Sequence, residues 1–240
     1  MPQQQPDTLG GALITTVAAD NVVDAGTSIL DAALVVIEES GDAMLDAGPQ
    51  ILQHIPVVGV MFKLYKAGIA INQQAFARKL AGFLHELGSV PLKTRRAFVN
   101  RFDEDLAFRQ KVGDNLVLLL DKADDVDKGS LLGKLFTCYI SGSIDYEGYM
   151  RFASIINRAH FSDVMALKKA SHEEGVSEPE FTEMEIEGLS AAGIVSLISM
   201  ANNDPFPAYE GPTDPPGPDR LFAHFTLLGK QLSKIIKQLY

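Results

Sequence analysis

The sequence predicts a mainly α-helical protein, a multi-helix bundle followed by a small α+β tail. Two patterns predict it. Between residues 21 and 160 apolar side chains recur three and four positions apart, short polar links join the segments, and no alternating strand pattern occurs before residue 190. Beyond residue 190, two short runs rich in β-branched or aromatic residues flank a Pro-rich stretch, and an amphipathic segment closes the chain.

The Gln/Pro leader is expected to be irregular. Asn21 is placed to cap the first helix, where Val22, Val23, Ile29, Leu30, Ala33, Leu34 and Ile37 form one stripe. Glu38 to Gly41 ends it, and Asp42 opens a shorter helix that stops at Gly48-Pro49. Residues 55–87 are strongly apolar to Ile71 and then amphipathic, with Phe76, Leu80, Phe83 and Leu87 in register. Gly59, Gly68 and Gly82 lower helix propensity there but permit close backbone approach. Pro91 opens the next helix, where a missing N–H costs nothing. Three further helices are marked by Leu106 to Ala123, by Leu132 to Ile140 and by Tyr149 to Ile156. The links DKADDVD (121–127) and SGSIDYE (141–147) supply capping and turn residues, and links this short favour antiparallel neighbours.

In the tail, Phe161 to Glu174 reads as a helix, and Pro179 opens another that runs to about Ala191. GIVSLIS (193–199) and RLFAHF (220–225) read as strands, and the intervening segment holds six prolines and reads as a mobile loop. Thr226 can cap the closing helix, whose Leu228, Leu232, Ile235 and Leu239 share a face. Helix, helix, strand, long loop, strand, helix is the outline of a winged-helix domain. FTLLGKQL (225–232) resembles the junction of second wing strand and closing helix in winged-helix regulators. The expected organisation is an acidic helical segment at 1–50, a helical core at 51–160 and a winged-helix-like domain at 161–240 with its loop at 200–219.

Charge is distributed in blocks. The first 62 residues hold eight acids and no Lys or Arg, Lys63 to Lys111 holds ten bases against four acids, and His172 to Asp219 holds eleven acids and no base. Blocks of one sign steer partners and segments towards or away from each other. A net charge of −10 argues against general affinity for nucleic acid, which needs clustered cations on phosphate. Cys138 is the sole cysteine, so no intrachain disulfide exists; a buried, inert thiol in a reducing cytosol is expected. MPQQQPDTLGG lacks the basic region of a secretory signal. The longest uncharged, apolar-leaning run, Ala47 to Phe62, has 16 residues, short of the roughly 20 that span a bilayer.

Four surfaces are candidates for function. A basic cluster comprises Lys93, Arg95, Arg96, Arg101, Arg109 and Lys111; it can meet phosphate, anionic lipid or the acidic N-terminus, or remain a solvated face. An acidic helix carries Glu178, Glu180, Glu183, Glu185 and Glu187 where a winged helix would place its DNA-reading side chains. Groove reading needs Arg, Lys, Asn or Gln at base edges, so that face is unsuited to DNA and better suited to a protein. Lys230, Lys234 and Lys237 form a stripe on the closing helix. Phe62, Lys63, Lys66, Arg78 and Lys79 pair apolar and basic residues as interfacial membrane helices do, although a core helix with snorkelling lysines has the same pattern.

Motifs for chemistry are missing. GSVPLKT (88–94) and GSLLGK (129–134) lack the spacing of a phosphate loop. His54, His85, His160, His172 and His224 are scattered, without metal-ligand spacing, and the aspartates of 121–127 miss the calcium register. They are better placed to cap the following helix. An enzyme would require two of His85, His160, His172 and His224 to converge with carboxylates in an assembled pocket.

IPVVG (55–59), RKLAGFLHEL (78–87), VGDNLVLLLDKADD (112–125) and the run from Lys128 to Val164 resemble a family of bacterial helical proteins with no assigned activity. The resemblance covers roughly 51–175, with a looser likeness at FTLLGKQL, and implies a bacterial, mostly helical chain without transferring any catalytic residue. The expectation is a non-enzymatic cytosolic interaction protein with an unknown protein partner, no cofactor and no metal, acting through the basic cluster and the acidic helix. The alternatives are a membrane-docked effector using residues 51–80 on an anionic surface, and an enzyme whose pocket leaves no motif.

Overall fold

The computed structural model describes residues 8–38, 56–57, 60, 73–102, 104–170, 181–200 and 220–240. The helix expected at 42–48, most of the apolar stretch 55–72 and the Pro-rich loop lie outside the described residues. The chain divides into two compact units, Met1–Asn157 and Arg158–Tyr240.

The first unit is helical: α1 (Leu9–Val17), α2 (Val22–Glu38), α3 (Gln73–Leu87), α4 (Leu92–Asn100), α5 (Leu106–Lys122), α6 (Asp127–Ile140) and α7 (Tyr146–Arg158), whose last residue opens the second unit. The Gln and Pro residues of the leader lie outside the described residues; after them, where the sequence marks no helix before Asn21, the structure has α1. Its N-cap is Thr8, whose hydroxyl accepts from the Gly11 N–H at 3.1 Å, and Ala12, Leu13, Ile14 and Val17 are buried. LGGALITTV carries no charge and two adjacent glycines, so it has neither a polar face nor propensity to announce it. Burial on α5 stabilises it instead.

Helix α3 packs against both α2 and α6. Its contact with α6 is backbone to backbone: a Cβ on Gly133 would lie 2.6 Å from the Phe83 carbonyl oxygen. Glycines four apart on α6 thus admit the α3 main chain where any side chain would hold it off. An aromatic cluster joins α3, α4, α6 and α7. Phe98 meets Tyr139 edge-on at 5.0 Å and Phe136 at 5.5 Å, and Phe136 meets Tyr149 at 5.2 Å. Such edge contacts add to the apolar area these rings remove from water.

Two buried lysines close the α5–α6 end. Lys79 Nζ donates to the Asp121 and Ala123 carbonyls at 3.0 and 2.7 Å, satisfying acceptors that the end of α5 leaves open. Lys128 donates to the Asp124 carboxylate and to the Asn157 carbonyl at 3.4 Å. Asp125 accepts from the Asp127 N–H at 2.8 Å, a local turn at the start of α6.

The second unit holds α8 (Phe161–Ala166) with a 3₁₀ turn at Leu167–Lys169, α9 (Glu183–Ala191), β1 (Val195–Met200), β2 (Arg220–Phe225) and α10 (Leu227–Leu239). The strands pair antiparallel, with Val195 opposite Phe225 and Met200 opposite Arg220. The helix predicted over 161–174 is regular only to Ala166, then tightens and leaves helical geometry at Ala170. Helix α9 begins at Glu183 and not near Pro179. A capping box decides the start: Thr182 Oγ1 accepts from the Glu185 N–H, and the Glu185 carboxylate accepts from the Thr182 N–H at 2.8 Å. Thr226 caps α10 as its sequence position predicts, accepting from the Gly229 N–H at 3.0 Å. Leu189, Ile194, Val195, Ala223, Leu232 and Ile236 form the core of this unit. Among the described residues, no helix is long and apolar enough to cross a membrane.

Candidate interaction surfaces

The basic cluster on α4 and α5 has its residues in three different environments. Arg95 is only 4% exposed. Its Nη1 donates to the Val17 and Ala19 carbonyls at 2.6 and 2.7 Å, and its Nε to Val90 at 3.1 Å, so it closes the C-terminal end of α1. Burial depresses its pKa, against the pull of Asp20. Arg96 pairs with Asp20 at 2.6 Å, and Arg109 donates to the Thr15 hydroxyl at 2.9 Å. Three of the six cations therefore hold the α1 end of the chain. The exposed Arg101 guanidinium lies 5.0 Å from the centre of the buried Phe98 ring, a cation–π contact. Lys93 and Lys111 are exposed.

Glu180 lies outside the described residues. Glu183 and Glu187 are exposed on α9, whereas Glu185 is drawn inward. The Thr182 N–H and the Lys169 ammonium, at 3.0 Å, hold the Glu185 carboxyl below its usual range. Carboxylates in this first turn also face the positive end of the helix dipole. Between them Met184 is 80% exposed, while Leu189 anchors the helix on its inner side. Helix α10 presents the opposite sign. Lys230 and Lys234 are exposed, Lys237 is half-buried, and Leu227 at its start is 75% exposed.

Of the residues that would face a membrane, Phe62, Lys63 and Lys66 lie outside the described residues. Arg78 is exposed, but Lys79 is buried with its ammonium on carbonyls, and desolvation lowers its pKa despite Asp121 and Asp124. Arg78 and His85, seven apart on α3, rim an open groove of about 340 Å³ against α2, floored by Leu30, Ala81 and Gly82.

Of the four histidines that an assembled pocket would draw on, His172 lies outside the described residues. His160 Nδ1 lies 2.8 Å from Ser162 Oγ, which donates to Asp163 at 3.3 Å. This order places the hydroxyl between ring and carboxylate. In a nucleophilic triad the ring stands between the other two, taking the hydroxyl proton while the carboxylate orients it. His224 is exposed on β2 opposite Ser196. Among the described residues, no three His, Cys, Asp or Glu side chains are grouped to hold a metal. The Cys138 thiol is half-buried and its pKa raised by that burial, which suppresses the reactive thiolate.

Sequence reasoning missed the burial of Arg95, Lys79 and Lys128. Their partners are backbone carbonyls and a turn carboxylate, and backbone acceptors leave no mark in residue identity. No family model, curated protein or solved structure matches the chain.

Proposed function

We propose that the chain is a non-enzymatic, cytosolic bacterial interaction protein whose winged-helix-like second unit presents α9 to a protein partner. One observation carries the reading. A helix fixed by its capping box and anchored by Leu189 turns Glu183, Met184 and Glu187 outward together. An exposed methionine flanked by carboxylates suits a basic protein surface with an apolar centre, since interfaces enclose apolar side chains within a polar rim. The same carboxylates repel a phosphate backbone, which separates this unit from winged helices that read DNA. The order α8, α9, β1, β2, α10 supports the winged-helix-like description.

The test is size-exclusion chromatography of a bacterial lysate containing the full chain at low and high salt. The expected result is elution well ahead of the 26.0 kDa monomer at low salt, with a shift to monomer for E183K/E187K. Monomeric elution of the unaltered chain at both salt concentrations overturns the reading.

A further inference from the structure

The second unit carries two oppositely charged helix faces, each centred on an exposed apolar side chain. Met184 and Leu227, at 80% and 75%, are the most exposed large apolar residues among those described. Met184 stands beside Glu183 and one turn before Glu187, on α9. Leu227 stands one turn before Lys230 and two before Lys234, on α10. None of these four charged residues has an ion-pair partner among the described residues of its own chain. Each face therefore has the composition that the other requires.

We infer that the partner of α9 is α10 of a second copy of this chain, with Met184 and Leu227 at the centre of the contact and the Glu and Lys side chains pairing around it. The inference rests on the reading above and names the partner that the reading leaves open. Two different surfaces meet, so the contact is heterologous: a dimer made this way leaves one α9 and one α10 free, and association continues into a ring or an open chain. Exposed ion pairs are individually weak and are screened by salt, so the apolar centre sets whether copies associate and the charges set orientation and salt dependence. The net charge of −10 on each copy opposes association beyond the contact and keeps it reversible.

Sedimentation velocity of the purified full chain over a concentration series reads this directly. The wild type is expected to form species above 26.0 kDa that dissociate as salt rises. E183K/E187K makes both faces basic and K230E/K234E makes both acidic, so each variant alone is expected to associate at least about tenfold more weakly. An equimolar mixture restores association, because every contact again joins opposite signs; misfolded variants could not rescue each other. A wild type that stays monomeric, variants that associate as the wild type does, or a mixture that stays monomeric each overturns the inference. If the purified chain is monomeric while the lysate still holds a complex abolished by E183K/E187K, the partner is another protein and only the self-association fails. If neither preparation shows α9-dependent association, the functional reading fails with it.

Discussion

A Cβ on Gly129 would lie 2.3 Å from the carbonyl oxygen of Lys79, so α3 and α6 meet main chain to main chain at that point. On the α3 side, Lys79 is also tied by its ammonium to the end of α5, so its main chain does not move aside freely. Gly129→Ala is therefore expected to destabilise the first unit by about 1–3 kcal/mol, the usual range for overpacking. Gly142 is the comparison: nothing lies within 4 Å of its Cβ position, and only its φ of +79° opposes a side chain. Gly142→Ala should lose about 1 kcal/mol through that backbone conformation alone. Urea unfolding of the two variants measures both.

Arg95 and Arg96 are adjacent in sequence and differ in what they hold. Arg95→Ala removes three buried donors and leaves the Val17, Ala19 and Val90 carbonyls short of partners. A loss of about 3 kcal/mol is expected, with α1 detaching first. Arg96→Ala removes an exposed pair with Asp20 and should change stability by less than about 1 kcal/mol. Hydrogen exchange of the α1 amides separates the two outcomes.

Tyr149 is fully buried, and its hydroxyl has no hydrogen-bond partner among the described residues. Desolvation raises its pKa far above the ordinary 10.0, with Tyr146 adding to the shift. The folded state thus keeps a proton that the unfolded chain gives up. The stability it contributes is complete below pH 10.0 and falls as pH rises beyond it. Tyr149→Phe should leave stability at neutral pH unchanged or raise it by up to about 1 kcal/mol, and should blunt the alkaline loss. Lys79 acts in the opposite direction. Its lowered pKa means the burial penalty eases as pH rises towards the ordinary 10.5, so the difference between wild type and Tyr149→Phe isolates the tyrosine. Thermal melts on both sides of pH 10.0 read it.

Duplex DNA is expected to run unshifted with the full chain in a mobility-shift assay at low salt, because the outward face of α9 holds Glu183 and Glu187 and no base. A shifted band that salt abolishes would reverse the assignment of that face.

Most helices were legible because their apolar residues repeat at helical spacing and their ends carry local chemistry, as at Pro91 and Thr226. Helix α1 was not, since it is buried nearly all round and has no polar side to set a period. The start of α9 was misplaced because Pro179 is a general start signal, whereas the Thr182–Glu185 capping box fixes the actual one. In the basic cluster, sequence shows where charge is dense but not which cation is buried. The acceptors of Arg95 at Val17 and Ala19 lie more than seventy residues away in the chain. The sign of α9 and α10 was legible directly; the pairing of each with an exposed apolar residue needed the fold.

The most direct measurement is photocrosslinking in bacterial cells from a photoreactive residue placed at Met184, with Leu118 on α5, also exposed, as the control position. A discrete adduct from position 184 that disappears in the E183K/E187K background, with none from position 118, is the predicted result. No adduct from position 184, or one indifferent to the charge reversal, would contradict an interaction carried by α9.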